Sequence, residues 1–293
     1  MKKIRFIINP KSGTGQKNNL SDLIQKSIDK KIFDVEICFT ETSGHATQLA
    51  KDSVERKFDI VVAVGGDGSV NETAKSLKNS ETALGIIPTG SGNGMARHLG
   101  IPVNIVKAVE VLNGGNIETI DTLMVNDLFC IGTIGIGFDA HVAHLFAKAG
   151  KRGYSTYVKL VLAEFYSYKE KKFSILADDK FYEKKCFLLT FANSSQFGNN
   201  AVIAPFADVK DGIIEISMIR RFPAYVAPSL ILRLMKNSIQ HSKYFESLKG
   251  EKIIVKNSDT LQGHIDGEPV IFNTDLKMEV SPLSLKVIVP ISK

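Results

Sequence analysis

A glycine-rich turn around one acid is the segment whose residues have the clearest chemistry. The sequence GGDGSVNE at residues 65–72 follows the apolar run IVVAV and leads into a helical pattern. Three glycines let a polyphosphate approach the backbone N–H groups, and the start of a helix favours anions. Asp67 can orient a metal ion or its water ligands. A local interpretation is also open, in which Ser69 and Glu72 form a capping box and Asp67 supports the turn.

Two more turns of this kind occur in the first third of the chain. The sequence PTGSGNGM at residues 88–95 follows a second apolar run, and NPKSGTG at residues 9–15 follows the first one. Backbone amides, hydroxyls and the Lys11 ammonium suit phosphate oxygens. We expect the three turns to converge on one crevice for nucleotide phosphates. The P-loop pattern GxxxxGK[ST] is absent, and the glycines between residues 132 and 137 lack dinucleotide-fingerprint spacing.

The elements that must position these turns alternate between strands and helices. Strands are predicted at residues 4–9, 35–39, 60–64 and 84–88, and helices at 20–31, 45–56, 69–78 and from about Met95. The strands are apolar on both faces, which is typical of a parallel sheet covered by helices. Ligands of such sheets lie beyond the carboxyl ends of the strands.

The pattern changes after about residue 121. Strands are predicted at residues 128–133, 173–176, 186–192 and 213–219, with helices at 154–169 and 224–238. The turn signals between the strands favour a mostly antiparallel second domain.

Composition excludes several classes of protein. The 293 residues are 44% apolar and 23% charged, so the chain is neither disordered nor fibrous. A net charge of +6 without long basic runs favours anionic partners other than nucleic acid. The 3 cysteines lie far apart, which argues against a disulfide framework or a thiolate zinc site and fits a reducing cytoplasm. The sequence contains no run of about 18 apolar residues, so it predicts no membrane-spanning helix.

Together these motifs resemble the diacylglycerol kinase family of lipid kinases, which includes bacterial lipid kinases, sphingosine kinases and ceramide kinases. The resemblance covers nearly the whole chain, through NPKSG at 9–13, GGDGSVNE at 65–72, PTGSGN at 88–93, IGFDA at 136–140, APFADVKDG at 204–212 and HIDGEP at 264–269. GGDG alone also occurs in NAD kinases and phosphofructokinases. Its combination with PTGSGN and a distant DGE is much more specific.

The resemblance implies an α/β fold with a Rossmann-like nucleotide-binding domain and a C-terminal β-sandwich domain. The ATP-binding domain would span residues 1–124, with the last strand at about 284–293 as a candidate to complete it. The β-rich lipid-acceptor domain would span residues 125–283, and the active site would lie in the cleft.

The resemblance also implies roles for individual residues. The ATP site would be lined by Asn9, Lys11, Ser12, Thr40, Gly65, Gly66, Asp67, Gly68, Ser69, Val70, Asn71, Ser91 and Asn93. Asp67 and Asp121 would hold the catalytic Mg²⁺, partly through water. Glu268 matches the family's general base. Asp208, Asp211 and the backbone of Ile213 match a structural metal site of bacterial members.

Two positions depart from the family's patterns. Gly94 stands where bacterial members carry an acid after the asparagine, which looks more like sphingosine and ceramide kinases. His141 stands where sphingosine kinases have an acid that meets the sphingoid head group. The two departures point to different acceptors, so the acceptor lipid stays open. Without the family, Asp266-Gly267 is a two-residue hairpin turn, and His141 with His144 marks a partly exposed helix face.

The sequence therefore predicts an ATP- and Mg²⁺-dependent kinase that phosphorylates a hydroxyl of a membrane lipid, diacylglycerol or sphingoid-type. The expected location is cytoplasmic, peripheral to the inner face of the membrane, with Lys148, Lys151 and Arg152 as a docking cluster. The partners are ATP, the lipid and the membrane surface, without nucleic acid, and a homodimer is left open. The alternatives are an NAD kinase or sugar-phosphate kinase with the same GGDG turn, or an inactive nucleotide- or lipid-binding sensor.

Overall fold

A computed structural model describes residues 1–12, 20–149, 154–257 and 259–291. The chain divides into two compact units. The first comprises Met1–Asp121 and Pro282–Lys293, and the second comprises Thr122–Ser281. The first unit is therefore built from both ends of the chain.

The first unit is a parallel β-sheet with helices between its strands. Its elements are β1 (Lys2–Ile8), α1 (Leu20–Ser27), β2 (Phe33–Phe39), α2 (His45–Glu55), β3 (Ile60–Gly65), α3 (Asp67–Leu77), β4 (Ala83–Pro88), α4 (Gly94–His98), α5 (Ile105–Gly114) and the first part of β5 (Asn116–Val125). The strand order is β2-β1-β3-β4, and each neighbouring pair is parallel. The strand order reverses direction between β1 and β3, which is where sheets of this kind bind ligands.

The second unit is a β-sandwich that carries helices. Its elements are the rest of β5, β6 (Leu128–Cys130), β7 (Thr133–Gly137), α6 (Phe138–Lys148), α7 (Tyr154–Glu164), β8 (Lys171–Ala177), β9 (Lys180–Cys186), β10 (Leu188–Ala192), β11 (Ile214–Ile219), α8 (Ala227–Met235), β12 (Phe245–Gly250), β13 (Lys252–Lys256), β14 (Leu261–Ile265), β15 (Glu268–Phe272) and the first part of β16 (Leu276–Val289). One sheet has the order β12-β11-β10-β7-β14-β15. In the other, β8 lies between β9 and β13, and β13 pairs with β16.

The inward side chains of the two sheets form one hydrophobic core. Ile134 and Phe191 enter it from the first sheet, and Ile175 and Ile253 from the second, all of them fully buried. Buried and half-buried residues alternate along β8 and β13, because successive side chains of a strand point to opposite faces of the sheet. The predicted fold class, a Rossmann-like α/β domain plus a C-terminal β-sandwich domain, is confirmed.

The last strand, β16, completes the sheet of the first unit. Val287 pairs in parallel with Leu84 of β4. The backbone N–H of Asn79 donates to the carbonyl oxygen of Ser284 at 2.7 Å. The C-terminal part of β16 is therefore a strand of the sheet of the first unit.

Several helices are shorter than the sequence predicts. The helix expected from about Met95 is the short α4, and a separate helix, α5, begins at Ile105. α7 ends at Glu164 and α8 ends at Met235, each a few residues before the predicted end. Among the described residues, no helix is long and apolar enough to cross a membrane.

Candidate functional site

The glycine turns after β3 and β4 meet through their backbones. A Cβ atom added to Gly90 would lie 2.5 Å from the Cα of Gly66, and one added to Gly66 would lie 3.2 Å from the Cα of Gly90. The backbone N–H of Thr89 donates to the carbonyl oxygen of Gly65 at 2.9 Å. Because both positions lack side chains, the two turns can approach this closely and keep their backbone groups accessible to a ligand.

Asp67 joins the same two turns through its carboxylate. Its Oδ2 accepts the backbone N–H of Asn93 at 2.9 Å, and its Oδ1 accepts that of Gly94 at 2.7 Å. Asn93 has a φ of +54°, and its side-chain amide exchanges two hydrogen bonds with the backbone of Gly90. These two hydrogen bonds orient the Asp67 carboxylate between the turns.

The capping box proposed for Ser69 and Glu72 is wrong. α3 begins at Asp67, and its N-cap is Gly66, which has no side chain to cap the helix. The Ser69 hydroxyl accepts a hydrogen bond from the Asn9 amide at 3.1 Å. The Glu72 carboxylate accepts the backbone N–H of Gly44 at 3.0 Å. Both side chains therefore connect α3 to neighbouring turns.

The turn after β1 belongs to the same network. The Ser12 and Thr89 hydroxyl oxygens lie 2.9 Å apart, and the backbone N–H of Lys11 donates to Asn9 Oδ1 at 2.9 Å. The Lys11 side chain is exposed, whereas Thr40, at the end of β2, is buried. The rest of this turn, from Gly13, lies outside the described residues. The structure thus joins Asn9, Ser12, Asp67, Ser69 and Asn93 at the carboxyl ends of the strands.

Other residues predicted for the ATP site extend this region. Gly68 and Asn71 are partly exposed in the first turns of α3, and Val70 is buried beside them. Ser91 is exposed in the turn after β4. They offer backbone and amide groups next to the contact between the glycine turns.

Asp121 is buried on β5, with 1% of its surface exposed. Its Oδ1 accepts the backbone N–H of Leu283 at 2.7 Å. This bond fixes the carboxylate against the last strand of the same unit.

Glu268 begins β15, directly after the turn from β14. Asp266 and Gly267 have φ values of +49° and +84°, so the predicted two-residue hairpin turn is confirmed. Asp266 Oδ2 accepts the N–H of Ile131 at 3.0 Å, and Oδ1 accepts those of Gly132 and Thr133 at 2.8 and 2.9 Å. These charge-assisted bonds fix the hairpin to the start of β7, while the Glu268 side chain is exposed.

A buried pair of side chains close to this hairpin was missed by the sequence reasoning. His264 Nε2 lies 3.0 Å from Asp139 Oδ2, and both residues are about 95% buried. A Cβ at Gly135 would lie 2.1 Å from each of these two atoms. The glycine inside a strand was the signal that could have shown a close approach here.

Burial raises the pKa of the Tyr168 hydroxyl, and the nearby Asp139 charge raises it further.

The residues of the expected structural metal site lie in the turns before β11. Asp208 Oδ1 accepts the N–H of Lys210, and Asp211 Oδ1 accepts that of Ile213, each at 3.0 Å. Glu215 is buried and receives the N–H of Phe206 at 2.7 Å, and burial raises its pKa. Within the described ranges, no group of three or more His, Cys, Asp or Glu side chains could hold a metal. The role of Asp208, Asp211 and Ile213 stays a prediction.

The histidines of α6 bond to different partners. His141 Nε2 lies 2.9 Å from a Glu164 carboxylate oxygen of α7, and His144 Nε2 lies 3.0 Å from the carbonyl oxygen of Gly263. These contacts hold the helix in the unit. Lys148 is exposed at the end of α6. The other two residues of the predicted docking cluster, Lys151 and Arg152, lie outside the described residues.

Comparison with known proteins agrees with this fold. Residues 3–125 match the model of the diacylglycerol kinase catalytic domain. Residues 132–289 match that of the YegS C-terminal NAD kinase beta sandwich-like domain. The chain belongs to the diacylglycerol kinase family of lipid kinases, in the form that carries the YegS-type C-terminal domain.

Individual relatives are similar over most of their length. The diacylglycerol kinase of Bacillus subtilis (strain 168) is 28% identical over 276 residues, which cover 92% of this chain and 90% of that protein. The "Probable lipid kinase YegS-like" of Chromohalobacter salexigens is 27% identical, with 86% and 82% covered. A crystal structure of a diacylglycerol kinase from Bacillus anthracis str. Sterne has the same fold, with a TM-score of 0.74 at 20% identity and 99% and 97% of the two chains covered.

Proposed function

We propose that this chain transfers the γ-phosphoryl group of ATP to a hydroxyl of a membrane lipid, either diacylglycerol or a sphingoid-type lipid. One observation carries the proposal: two glycine turns in backbone contact, tied together by Asp67, in a chain whose family phosphorylates lipids. Membership of a kinase family implies a nucleotide donor. The names of the relatives support a lipid acceptor, with diacylglycerol as the first candidate.

The residues of the first unit would bind the phosphates. Backbone N–H groups of the turns and the Ser69 and Ser91 hydroxyls are suitable donors to phosphate oxygens, and the exposed Lys11 ammonium adds a positive charge. Bound Mg²⁺ supplies positive charge beside the phosphates, and Asp67 and Asp121 are the residues that would hold it. Such preorganised groups stabilise the charge that develops on the transferred phosphoryl group.

Glu268 would act as the general base of the second unit. An alcohol is a poor nucleophile near neutral pH, so the Glu268 carboxylate takes its proton as the new O–P bond forms. The bond between the γ-phosphorus and the ADP oxygen breaks, and ADP leaves with that electron pair. The exposed carboxylate on a hairpin fixed by Asp266 fits this role, because it is accessible yet held on a rigid turn.

Labelled ATP and a panel of acceptors test the proposal. We expect a radioactive lipid product with diacylglycerol or a sphingoid lipid in detergent micelles, and none with NAD or a sugar phosphate. Replacing Glu268 by Gln should lower turnover by about 10² to 10⁴ with little change in ATP affinity. Glu279→Gln, at another exposed strand position, is the matched control and should retain activity.

The outcomes separate the candidate functions. A phosphorylated soluble acceptor without lipid product would move the chain to the NAD or sugar-phosphate kinases. ATP binding without any product would indicate a sensor. Normal turnover of Glu268→Gln would remove the base from the mechanism and leave the kinase assignment intact.

A further inference from the structure

Helix α8 has apolar residues on the face that the second unit leaves uncovered. Leu230 is 4% exposed, and Leu234 packs on the buried cluster around Ile203. On the other side, the exposed fractions of Ile231, Leu232 and Met235 are 58, 54 and 48%. A helix that packs one apolar side into its own unit leaves a second apolar side for a different partner.

Tyr225 enlarges this apolar surface. It lies in the short 3₁₀ turn that precedes α8, and 83% of its surface is exposed. We call Tyr225, Ile231, Leu232 and Met235 the α8 surface. A tyrosine with an apolar ring and a polar hydroxyl suits the boundary between hydrocarbon and water.

The chain around the α8 surface carries only positive formal charge. Residues 216–245 contain no Asp or Glu. Their basic residues are Arg220, Arg221, Arg233, Lys236 and Lys243. Such a segment attracts an anionic surface, and its apolar helix face can enter the layer below the head groups.

Most of these cations are available at the surface. Arg220, Lys236 and Lys243 are exposed, whereas the Arg221 guanidinium lies over the rings of Phe165 and Phe187. Two carboxylates near this segment are already paired: Glu246 of β12 bonds to Lys184, and Glu170, just before β8, lies 3.7 Å from Lys185. The positive charge beside α8 is therefore not neutralised by these acids.

We propose that the α8 surface and its flanking cations dock the protein on an anionic lipid bilayer. The inference rests on the proposed function, because a lipid acceptor resides in such a bilayer. Charge complementarity selects this occupant: an apolar face with a basic border matches anionic lipid, whereas a second copy would bring the same positive charge against itself. The predicted docking cluster of Lys148, Lys151 and Arg152 stays a separate prediction.

Vesicle sedimentation tests the docking surface directly. The full chain is mixed with phosphatidylcholine vesicles, with and without phosphatidylglycerol, and the bound fraction is measured at low and high salt. We expect binding to anionic vesicles to be at least about tenfold tighter, and to weaken as salt shortens the Debye length to about 3 Å near 1 M.

Two variants separate the apolar and the electrostatic contributions. I231S/L232S/M235S should lower affinity for anionic vesicles by at least about tenfold, because less apolar surface enters the layer. R233Q/K236Q should lower it by about 25-fold, which corresponds to about fivefold for each cation. The matched controls, Phe181→Ser for the apolar change and K180Q/K277Q for the charge change, alter exposed residues on β9 and β16 and should bind like the natural chain.

Three results would overturn the docking surface. The unsubstituted chain could bind neutral and anionic vesicles equally, or I231S/L232S/M235S could bind anionic vesicles as tightly as the unsubstituted chain while its thermal unfolding is unchanged. The third result is a dimer of the unsubstituted chain in sedimentation velocity that becomes a monomer in I231S/L232S/M235S. Activity on a short-chain acceptor in detergent micelles separates this idea from the proposed function. Both variants should retain that activity while losing vesicle binding. A natural chain without lipid kinase activity would contradict the proposed function, and the vesicle result would still decide docking.

Discussion

Gly66 and Gly90 face each other where the glycine turns after β3 and β4 meet, so the site depends on having no side chain at either position. The atoms that a Gly90 side chain would meet are the Cα of Gly66 at 2.5 Å and the Oδ1 of Asn93 at 2.9 Å. The first belongs to the backbone, and the second is fixed by two hydrogen bonds to Gly90. Neither can move without changing the turn that presents Asp67.

Replacing Gly90 by Ala should therefore destabilise the first unit and weaken ATP binding. We expect a loss of about 1–3 kcal/mol in the free energy of unfolding, the usual cost of overpacking. Gly114→Ala is the matched control, because Gly114 ends α5 with no heavy atom within 4 Å of an added Cβ. Urea unfolding and ATP titration measure both effects. Equal stability of the two variants would show that the turns relax easily.

At the scale of elements, Asp266 explains why the strand predicted at residues 128–133 is divided into two strands, β6 and β7, in the structure. The sequence predicts a strand over residues 128–133, but the structure has β6 and β7 with a break at Ile131 and Gly132. The backbone N–H groups at the break turn to the Asp266 carboxylate, more than a hundred residues further along the chain. The local sequence holds no signal for a partner so distant.

Asp266→Asn should cost about 1–3 kcal/mol of stability, because Asn keeps the left-handed turn but places an NH₂ group opposite a backbone N–H. Asp178→Asn is a close control. Asp178 also has a positive φ, yet the N–H groups of Glu251 and Lys252 both donate to its Oδ1, which Asn can replace. Thermal unfolding of both variants checks the difference. If Asp178→Asn lost as much stability as Asp266→Asn, the loss at both positions would come from removal of the negative charge alone.

Local patterns predicted the elements better than the contacts between them. The buried runs of β3 and β4, the turns that follow, and the hairpin at Asp266-Gly267 follow from apolar runs and glycine positions. The bond of Asp67 to the start of α4 and the pair of His264 with Asp139 depend on which strands become neighbours. The Ser69 and Glu72 pattern failed for the same reason, since partners from other turns replaced the local cap.

At the scale of the whole molecule, the first unit needs the last strand of the chain. The residues of β16 in this unit include Leu285, Val287, Ile288 and Val289, each at most 5% exposed. Burial of such side chains stabilises a fold by about 1.5–3 kcal/mol each. Their sum is comparable to the total stability of a typical domain, about 5–15 kcal/mol. The first unit should therefore fold only when the chain includes β16.

Ending the chain after Ser281 should remove the response of the protein to ATP. The shortened chain lacks the strand beside β4 and the Leu283 N–H that holds Asp121, while β13 keeps its pairing with β16 up to Glu279. The full chain should gain about 2.7 kcal/mol from ATP and Mg²⁺ at 100 times the dissociation constant. A chain ending after Pro290 keeps the strand and should behave like the full chain. Thermal unfolding with and without ATP compares the three, and an undiminished ATP shift in the chain ending at Ser281 would show that β1 to β4 form a stable sheet without β16.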